Sequence, residues 1–350
     1  MGEIWIVGAT GRSGRMIAAN LAGRHDLVLA GRDATRLHEL AGRVGGTART
    51  VVGATPEALA GEIGRARPAV VINLIGPFTR TAAPIVRACP PGTGYVDISN
   101  ELFGIKALLD RHDEAAAAGR TVVTGAGFGV LGSEALALHL CAGRPAPERV
   151  RFDRVAMIAG EAEPMGEALA GSIVDGILGG GWAYRGGRLV PAPVGAAAER
   201  QTMPDGSTAT TSSFPSGDLI AVQRATGAAE VLIAAAEAPS GPLVRVAVPV
   251  ARSVLRVPAI RRWATARMAA MTIGGKPPAS EYTWVRGRVK ERGGPVREGW
   301  LRAGEAMAFT CTVTALTAAR LARGEGKPGA YTPGALFGTE LAEEAGATFH

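Results

Sequence analysis

The stretch that most constrains the fold is Gly8-Ala-Thr-Gly-Arg-Ser-Gly14. It lies between an apolar run, Glu3-Ile-Trp-Ile-Val7, and a helical pattern from Arg12 to Ala22. A strand that ends in a glycine turn and passes at once into a helix leaves few architectures open. The bare backbone can approach a ligand where a side chain would block it. The first turn of the helix adds N–H groups and the positive end of its dipole. Together these features suit a diphosphate group, and they predict the first βαβ unit of a dinucleotide-binding sheet.

The next strand bears on which dinucleotide. Leu27-Val-Leu-Ala30 runs into Gly31-Arg32-Asp33. A site for NAD usually carries a carboxylate at this strand tip, bonded to the ribose 2′-OH. Here Gly31 and then Arg32 stand in that place, and a guanidinium matches a 2′-phosphate in charge and bidentate geometry. The expected cofactor is therefore NADP(H), with Arg12 as a second positive contact. Thr10, Gly11 and Ser13 complete the candidate phosphate turn.

Strand and helix patterns alternate up to Phe128. Thr50-Val-Val52 reads as a third strand, and Thr55-Pro56 as a helix start with a threonine cap. Ala69-Val-Val-Ile-Asn-Leu-Ile75 is a continuous apolar run, as expected of a strand covered on both faces. A helix over Ala82 to Ala88, a strand at Tyr95-Val-Asp97, a helix from Ile105 to Ala118 and a strand at Thr121-Val-Val-Thr124 follow. This is the pattern of an α/β protein with a doubly wound parallel sheet. Beyond it, Ser133 is expected to cap a helix from Glu134 to Cys141, and Pro145-Ala-Pro147 to form a hinge. Short β-like runs (Val150 to Ile158, Leu243 to Val250) alternate with glycine turns in an α+β segment, and a last helix is expected over Ala303 to Ala322. The expected division is 1–130, a Rossmann domain; 131–300, an α+β substrate and dimerisation domain; and 301–350, a C-terminal helix and tail packing back on the first.

Length and charge narrow the function classes. A chain of 350 residues exceeds one comfortable core. The net charge of +7 comes from arginines scattered along the chain, with no recognisable nucleic-acid module, so nucleic acid is not expected as a partner. Cys89, Cys141 and Cys311 are far apart and odd in number, which argues against both a disulfide framework and a metal site. No signal peptide or membrane-spanning run is legible, so a cytoplasmic location is expected. One charge run stands out. Between Ala238 and Ser280 there are seven basic residues and no acids, with Val257, Ile260, Trp263, Met268 and Met271 at roughly helical spacing between them. Such a segment can be a solvated lid, a surface for an acidic partner, or a peripheral membrane contact.

Asn73-Leu-Ile-Gly-Pro-Phe78 and Gly94-Tyr-Val-Asp-Ile-Ser-Asn-Glu101 resemble segments of the saccharopine dehydrogenase/reductase-like family, in its bacterial saccharopine reductase and trans-acting enoyl reductase branch. Gly127-Phe-Gly-Val-Leu-Gly-Ser-Glu134 is similar to that family's GFDSxPSD turn. Ser216-Gly-Asp-Leu219 with Ala225-Thr-Gly227, and Pro328-Gly-Ala-Tyr-Thr-Pro333, are similar to later segments. The resemblance implies a Rossmann domain, an inserted domain that carries homodimer contacts, and a C-terminal helix returning to the first domain. It also implies hydride transfer with NADP(H) to a C=N or C=C bond of a small or carrier-linked metabolite. Its cofactor positions fall on Gly8, Thr10, Gly11, Gly14, Arg32, Asn73, Gly76 and Pro77. Thr81, Ala82, Ala83, Gly129 and Gly132 depart from the family pattern, and saccharopine itself is not the expected substrate. Tyr95, Asp97 and Glu101, at strand ends on the carboxyl edge, are the candidate catalytic residues: Asp97 to hold a positively charged iminium, Tyr95 to donate a proton. The missing polar groups at Thr81, Ala82, Ala83 and Gly129 keep open an NADP-binding scaffold or redox sensor without turnover.

Overall fold

A computed structural model describes residues 2–45, 48–159, 163–238, 248, 250–273 and 280–350. It divides into two compact units. The first takes the chain up to Asn100, Gly104–Phe128 and Met307–Leu341. The second takes Glu101–Phe103, Gly129–Ala306 and Ala342–His350. The chain thus leaves the first unit, builds the second as an insertion, and returns. The C-terminal segment, expected to pack back on the first domain as one piece, is split between the two units.

The first unit is built on β1 (Ile4–Val7), β2 (Leu27–Gly31), β3 (Arg49–Val52), β4 (Val70–Asn73), β5 (Gly94–Asp97) and β6 (Thr121–Val123). Its seventh strand, Gly329–Tyr331, comes from the C-terminal segment and pairs with β6. The order, from that strand inwards, is β6-β5-β4-β1-β2-β3, with every pairing parallel. This is the Rossmann order, whose ligand crevice opens where β1 and β4 diverge at their carboxyl ends. β1, β2, β4 and β5 are buried at every residue, because helices cover both faces of the sheet. Their unbroken apolar runs follow from that double cover.

Local differences from the sequence expectation have physical causes. The run Ala69–Ile75 is a strand only over Val70–Asn73; Leu74 to Pro77 turn away into the helix Phe78–Ala88. The expected helix Ile105–Ala118 is two helices, Leu102–Leu109 and His112–Ala117. Ser133 caps nothing: the helix already runs from Phe128 to Cys141, and the Ser133 hydroxyl points into the core.

The second unit carries a nine-stranded mixed sheet. Its longest strands are β7 (Arg149–Val155), β8 (Thr283–Lys290) and β9 (Val296–Ala303). β7 pairs antiparallel with β8, and β8 with β9. Gly287 and Gly299 face each other across β8 and β9; a Cβ on either would meet Leu140 within 3 Å. Their bareness seats the helix Phe128–Cys141 directly on the sheet. The last strand, Thr348–Phe349, pairs with β9. The expected β-like run Leu243 to Val250 lies mostly outside the described residues. Among the described residues, no helix is long and apolar enough to cross a membrane, and no cluster of His, Cys, Asp and Glu could hold a metal ion.

Candidate dinucleotide site

The crevice begins at Gly8, where β1 ends. Gly8 has φ +88, and a Cβ there would lie 3.3 Å from Ile75 and from the Leu74 backbone. Two turns, one after β1 and one after β4, thus approach to contact, and only glycine serves both the left-handed backbone and the space. Gly11 is the N-cap of the helix Arg12–Leu21 and has no side chain to occupy the N–H groups of its first turn. Gly14 lies one turn inside that helix. A Cβ there would sit 2.4 Å from the carbonyl oxygen of Ala9 and 2.6 Å from that of Gly8. These are the three glycine roles of a pyrophosphate cradle: tight turn, bare approach, and close packing of helix on strand. Thr10 and Arg12 are half-exposed at its rim. The Ser13 hydroxyl donates to Met307 Sδ at 3.3 Å, so the returning helix Ala306–Ala322 packs beside the cradle. Thr314 from the same helix donates to the carbonyl of Ala126 (2.7 Å), and Thr310 accepts from Phe128 N–H (3.1 Å). A Cβ on Gly127 would collide with Thr310 at 2.7 Å, which accounts for a glycine there.

Arg32 is exposed just beyond the tip of β2. Asp33, the next residue, is engaged as a helix cap. Its Oδ1 accepts from Arg36 N–H at 3.0 Å as the N-cap of the helix Ala34–Val44, and its Oδ2 pairs with the Arg36 guanidinium at 3.5 Å. This chain's own residues fit NADP(H): a cradle that a Cβ would fill, and an exposed guanidinium just beyond the tip of β2.

The other candidates are placed differently from expectation. Asn73 is fully buried at the end of β4, and its carboxamide is spent inside the protein. Oδ1 accepts from Ile75 N–H (3.0 Å); Nδ2 donates to Tyr95 Oη (3.1 Å) and to Thr81 Oγ1 (3.4 Å). With both amide hydrogens engaged, Asn73 shapes the Leu74–Pro77 turn from within the protein. Thr81, read in the sequence as a lost polar group, closes the same turn by donating to Ile75 O. Gly76 is half-exposed and Pro77 buried, as the turn enters the next helix.

Tyr95 and Asp97 are joined, two residues apart on one face of β5. The Tyr95 hydroxyl donates to Asp97 Oδ2 at 2.9 Å. Asp97 Oδ1 accepts from Thr124 Oγ1 (2.9 Å) and from the N–H groups of Ser99 and Gly125 (3.0 Å each). Burial pushes the Asp97 carboxyl up to about 6, against the pull of these four donors. Burial, with the adjacent Asp97 charge, drives the Tyr95 phenol well above its ordinary range. Both side chains, the expected proton donor and iminium partner, are buried. What they form is a chain, Thr81–Asn73–Tyr95–Asp97–Thr124, that ties together the carboxyl ends of β4, β5 and β6. Only the Asn73 and Asp97 register, side by side across β4 and β5, makes this visible; sequence spacing could not. Glu101 belongs to the second unit, where it accepts from Ser172 Oγ at 2.6 Å.

Tyr95→Phe tests this chain. Loss of the hydroxyl leaves one Asn73 proton and one Asp97 oxygen without a partner, an expected cost of about 1–3 kcal/mol. The pH dependence carries the sign. Asp97 binds its proton more tightly folded than unfolded, so its contribution to stability is fullest at acid pH and falls as pH rises through about 6. Removing the phenol raises that carboxyl further, so chemical denaturation should show a larger loss at pH 8 than at pH 5. An equal loss at both pH values would mean that Tyr95 does not act through the Asp97 carboxylate.

The sheet order, the insertion and the glycine cradle define a two-domain protein with a Rossmann-type dinucleotide-binding unit. Residues 4–123 match the family model for the saccharopine dehydrogenase NADP binding domain. The trans-acting enoyl reductase of Mycobacterium leprae is 35% identical over 136 residues, which is 36% of this chain and 32% of that protein. The trans-acting enoyl reductase of Mycobacterium ulcerans is 34% identical over 147 residues, 39% of this chain and 35% of that protein. The matched region thus spans about a third of the length of these curated relatives. In fold, the chain is similar to saccharopine dehydrogenase (L-Glu forming) from Saccharomyces cerevisiae, with a TM-score of 0.62 at 14% identity, over 99% of this chain and 96% of that one. The first domain, over residues 4–123, is thus similar to the NADP-binding domain of saccharopine dehydrogenase, and its cofactor is NADP(H).

Proposed function

We propose that this protein is an NADPH-dependent reductase. It would act on a C=C or C=N bond of a small or carrier-linked metabolite. The observation that carries the reading is the bare cradle of Gly8, Gly11 and Gly14 with Arg32 at the tip of β2 and Asp33 already committed as a helix cap. When bound, NADPH supplies a hydride to an electrophilic carbon. The protein's part is to bind, orient and exclude water. The cradle and the first turn of the helix Arg12–Leu21 hold the diphosphate; Arg32, with Arg12, recognises the 2′-phosphate. The Asn73–Tyr95–Asp97 chain fixes the Leu74–Pro77 turn, against which Gly8 packs, so Tyr95 and Asp97 act as positioning residues. The names of the curated relatives favour an enoyl over an imine substrate, and one presented on a separate carrier.

Titration calorimetry with NADPH and NADH tests the cofactor reading. NADPH should bind about 10- to 100-fold more tightly, the worth of one charge-assisted pair, and Arg32→Ala should bring the two close to parity. Tighter binding of NADH by the wild-type protein would refute it. The burial of Tyr95 and Asp97 favours one second reading, an NADP-binding scaffold or redox sensor without turnover. Oxidation of NADPH in the presence of an enoyl thioester or a cyclic imine would eliminate that reading.

A further inference from the structure

Eleven large hydrophobic side chains are exposed among the described residues, and six of them, Val250, Val254, Val257, Ile260, Trp263 and Met271, fall within 22 consecutive positions. Trp263 is 68% exposed, the highest of the eleven. The helix Pro258–Ala269 between them buries no residue. Its inner side faces the helix Glu167–Gly179, where Arg261 pairs with Asp175 at 2.5 Å. Its outer side carries Ile260, Trp263 and Arg267 at i, i+3 and i+7, with Arg262 beside them. Arg256, Arg262 and Arg267 are all exposed, and the sequence holds no acidic residue between Ala238 and Ser280.

A solvated face would not concentrate six of the eleven exposed large apolar groups of the described residues around an indole. A second copy of the chain is disfavoured as the occupant. A two-fold contact would bring the same arginines of both copies together with no acidic side chain in the segment to offset them. Aliphatic groups and an indole among arginines on one outward face instead match an interfacial helix, in which the apolar groups enter the acyl boundary and the guanidinium groups meet lipid phosphates. We propose that residues 250–271 dock the protein on an anionic membrane surface. This is independent of the cofactor reading.

Flotation of the full-length protein with vesicles tests the proposal. Vesicles of phosphatidylcholine with about a third phosphatidylglycerol should carry the protein at low salt, and pure phosphatidylcholine should not. Arg262→Gln with Arg267→Gln should weaken binding roughly thirtyfold at low salt, and Trp263→Ser should weaken it further without changing the circular dichroism spectrum. Binding by Trp263→Ser at the wild-type level would overturn the proposal. So would wild-type protein that floats with neither vesicle. In that case size-exclusion chromatography of Trp263→Asp identifies the true occupant: a smaller species points to a second copy, an unchanged one to another protein.

Discussion

Asp218→Ala is expected to destabilise the second unit by about 3–5 kcal/mol. Asp218 is fully buried at the start of the helix Asp218–Thr226. Its Oδ2 accepts from the Ser133 hydroxyl at 2.9 Å and lies 3.0 Å from Arg154 Nε, paired in charge but without a hydrogen-bonding angle. Its Oδ1 accepts from the Ser216 hydroxyl at 2.5 Å, and Arg154 also donates to Ser216 at 3.2 Å. Arg154 is only 5% exposed, so removing the carboxylate strands a guanidinium away from water together with two hydroxyl groups. The pair need not be strongly stabilising in itself for this loss to be large; the cost is that of the orphaned charge. Arg149 and Glu230, separated by 2.6 Å, give the contrast. Their side chains are 63% and 42% exposed, and Glu230→Ala should cost less than about 1 kcal/mol. Denaturant midpoints for both variants would measure the difference. Replacing the pair together, Arg154→Met with Asp218→Leu, should recover much of the loss. If Asp218→Ala costs under about 1 kcal/mol, the buried cluster does not hold the unit together.

Gly14→Ala is the second large effect, and two opposing terms decide its sign. In an ordinary helix interior, alanine in place of glycine would gain about 1 kcal/mol. Here the new Cβ would lie 2.4, 2.6 and 2.7 Å from backbone atoms of Ala9 and Gly8, none of which can swing aside. The helix Arg12–Leu21 must lift from the turn by something near an ångström, and overpacking of this kind costs about 1–3 kcal/mol. The net expectation is a loss of stability and, because the cradle is the part that moves, a fall in NADPH affinity on the order of a hundredfold. Thermal unfolding and NADPH titration on the same sample separate the two. Gly42→Ala is the control. Nothing lies within 4 Å of its Cβ, and the change should be neutral or slightly stabilising. NADPH affinity within twofold of wild type in Gly14→Ala would show that the cradle does not hold the cofactor.

Much of the first domain was legible because its signals are local. A strand covered on both faces reads as an unbroken apolar run, and a glycine forced by backbone contact leaves its mark in the sequence whatever lies elsewhere. Gly8, Gly14, Arg32 and the parallel alternation belong to this kind. Tyr95 and Asp97 were read as strand-end residues facing a ligand crevice, where the structure buries them. Strand alternation puts them on one face but does not say what covers that face. Thr81 reads in the sequence as a missing polar group, whereas it closes the turn with Asn73. Asp218 carries no local mark of burial, because its partners, Ser133 and Arg154, lie 85 and 64 positions away.

The chain's order of residues alone determined the βαβ start, the bare phosphate turn and the positive group beyond the second strand, since each depends on neighbours within a few positions. Only the folded molecule decided which polar groups meet, through a strand register that sets Asn73 beside Asp97 and an insertion that brings Arg154 to Asp218. Hydrogen bonds and buried charges act over about 3 Å, and such distances between remote segments are set by packing, on which residue spacing is silent.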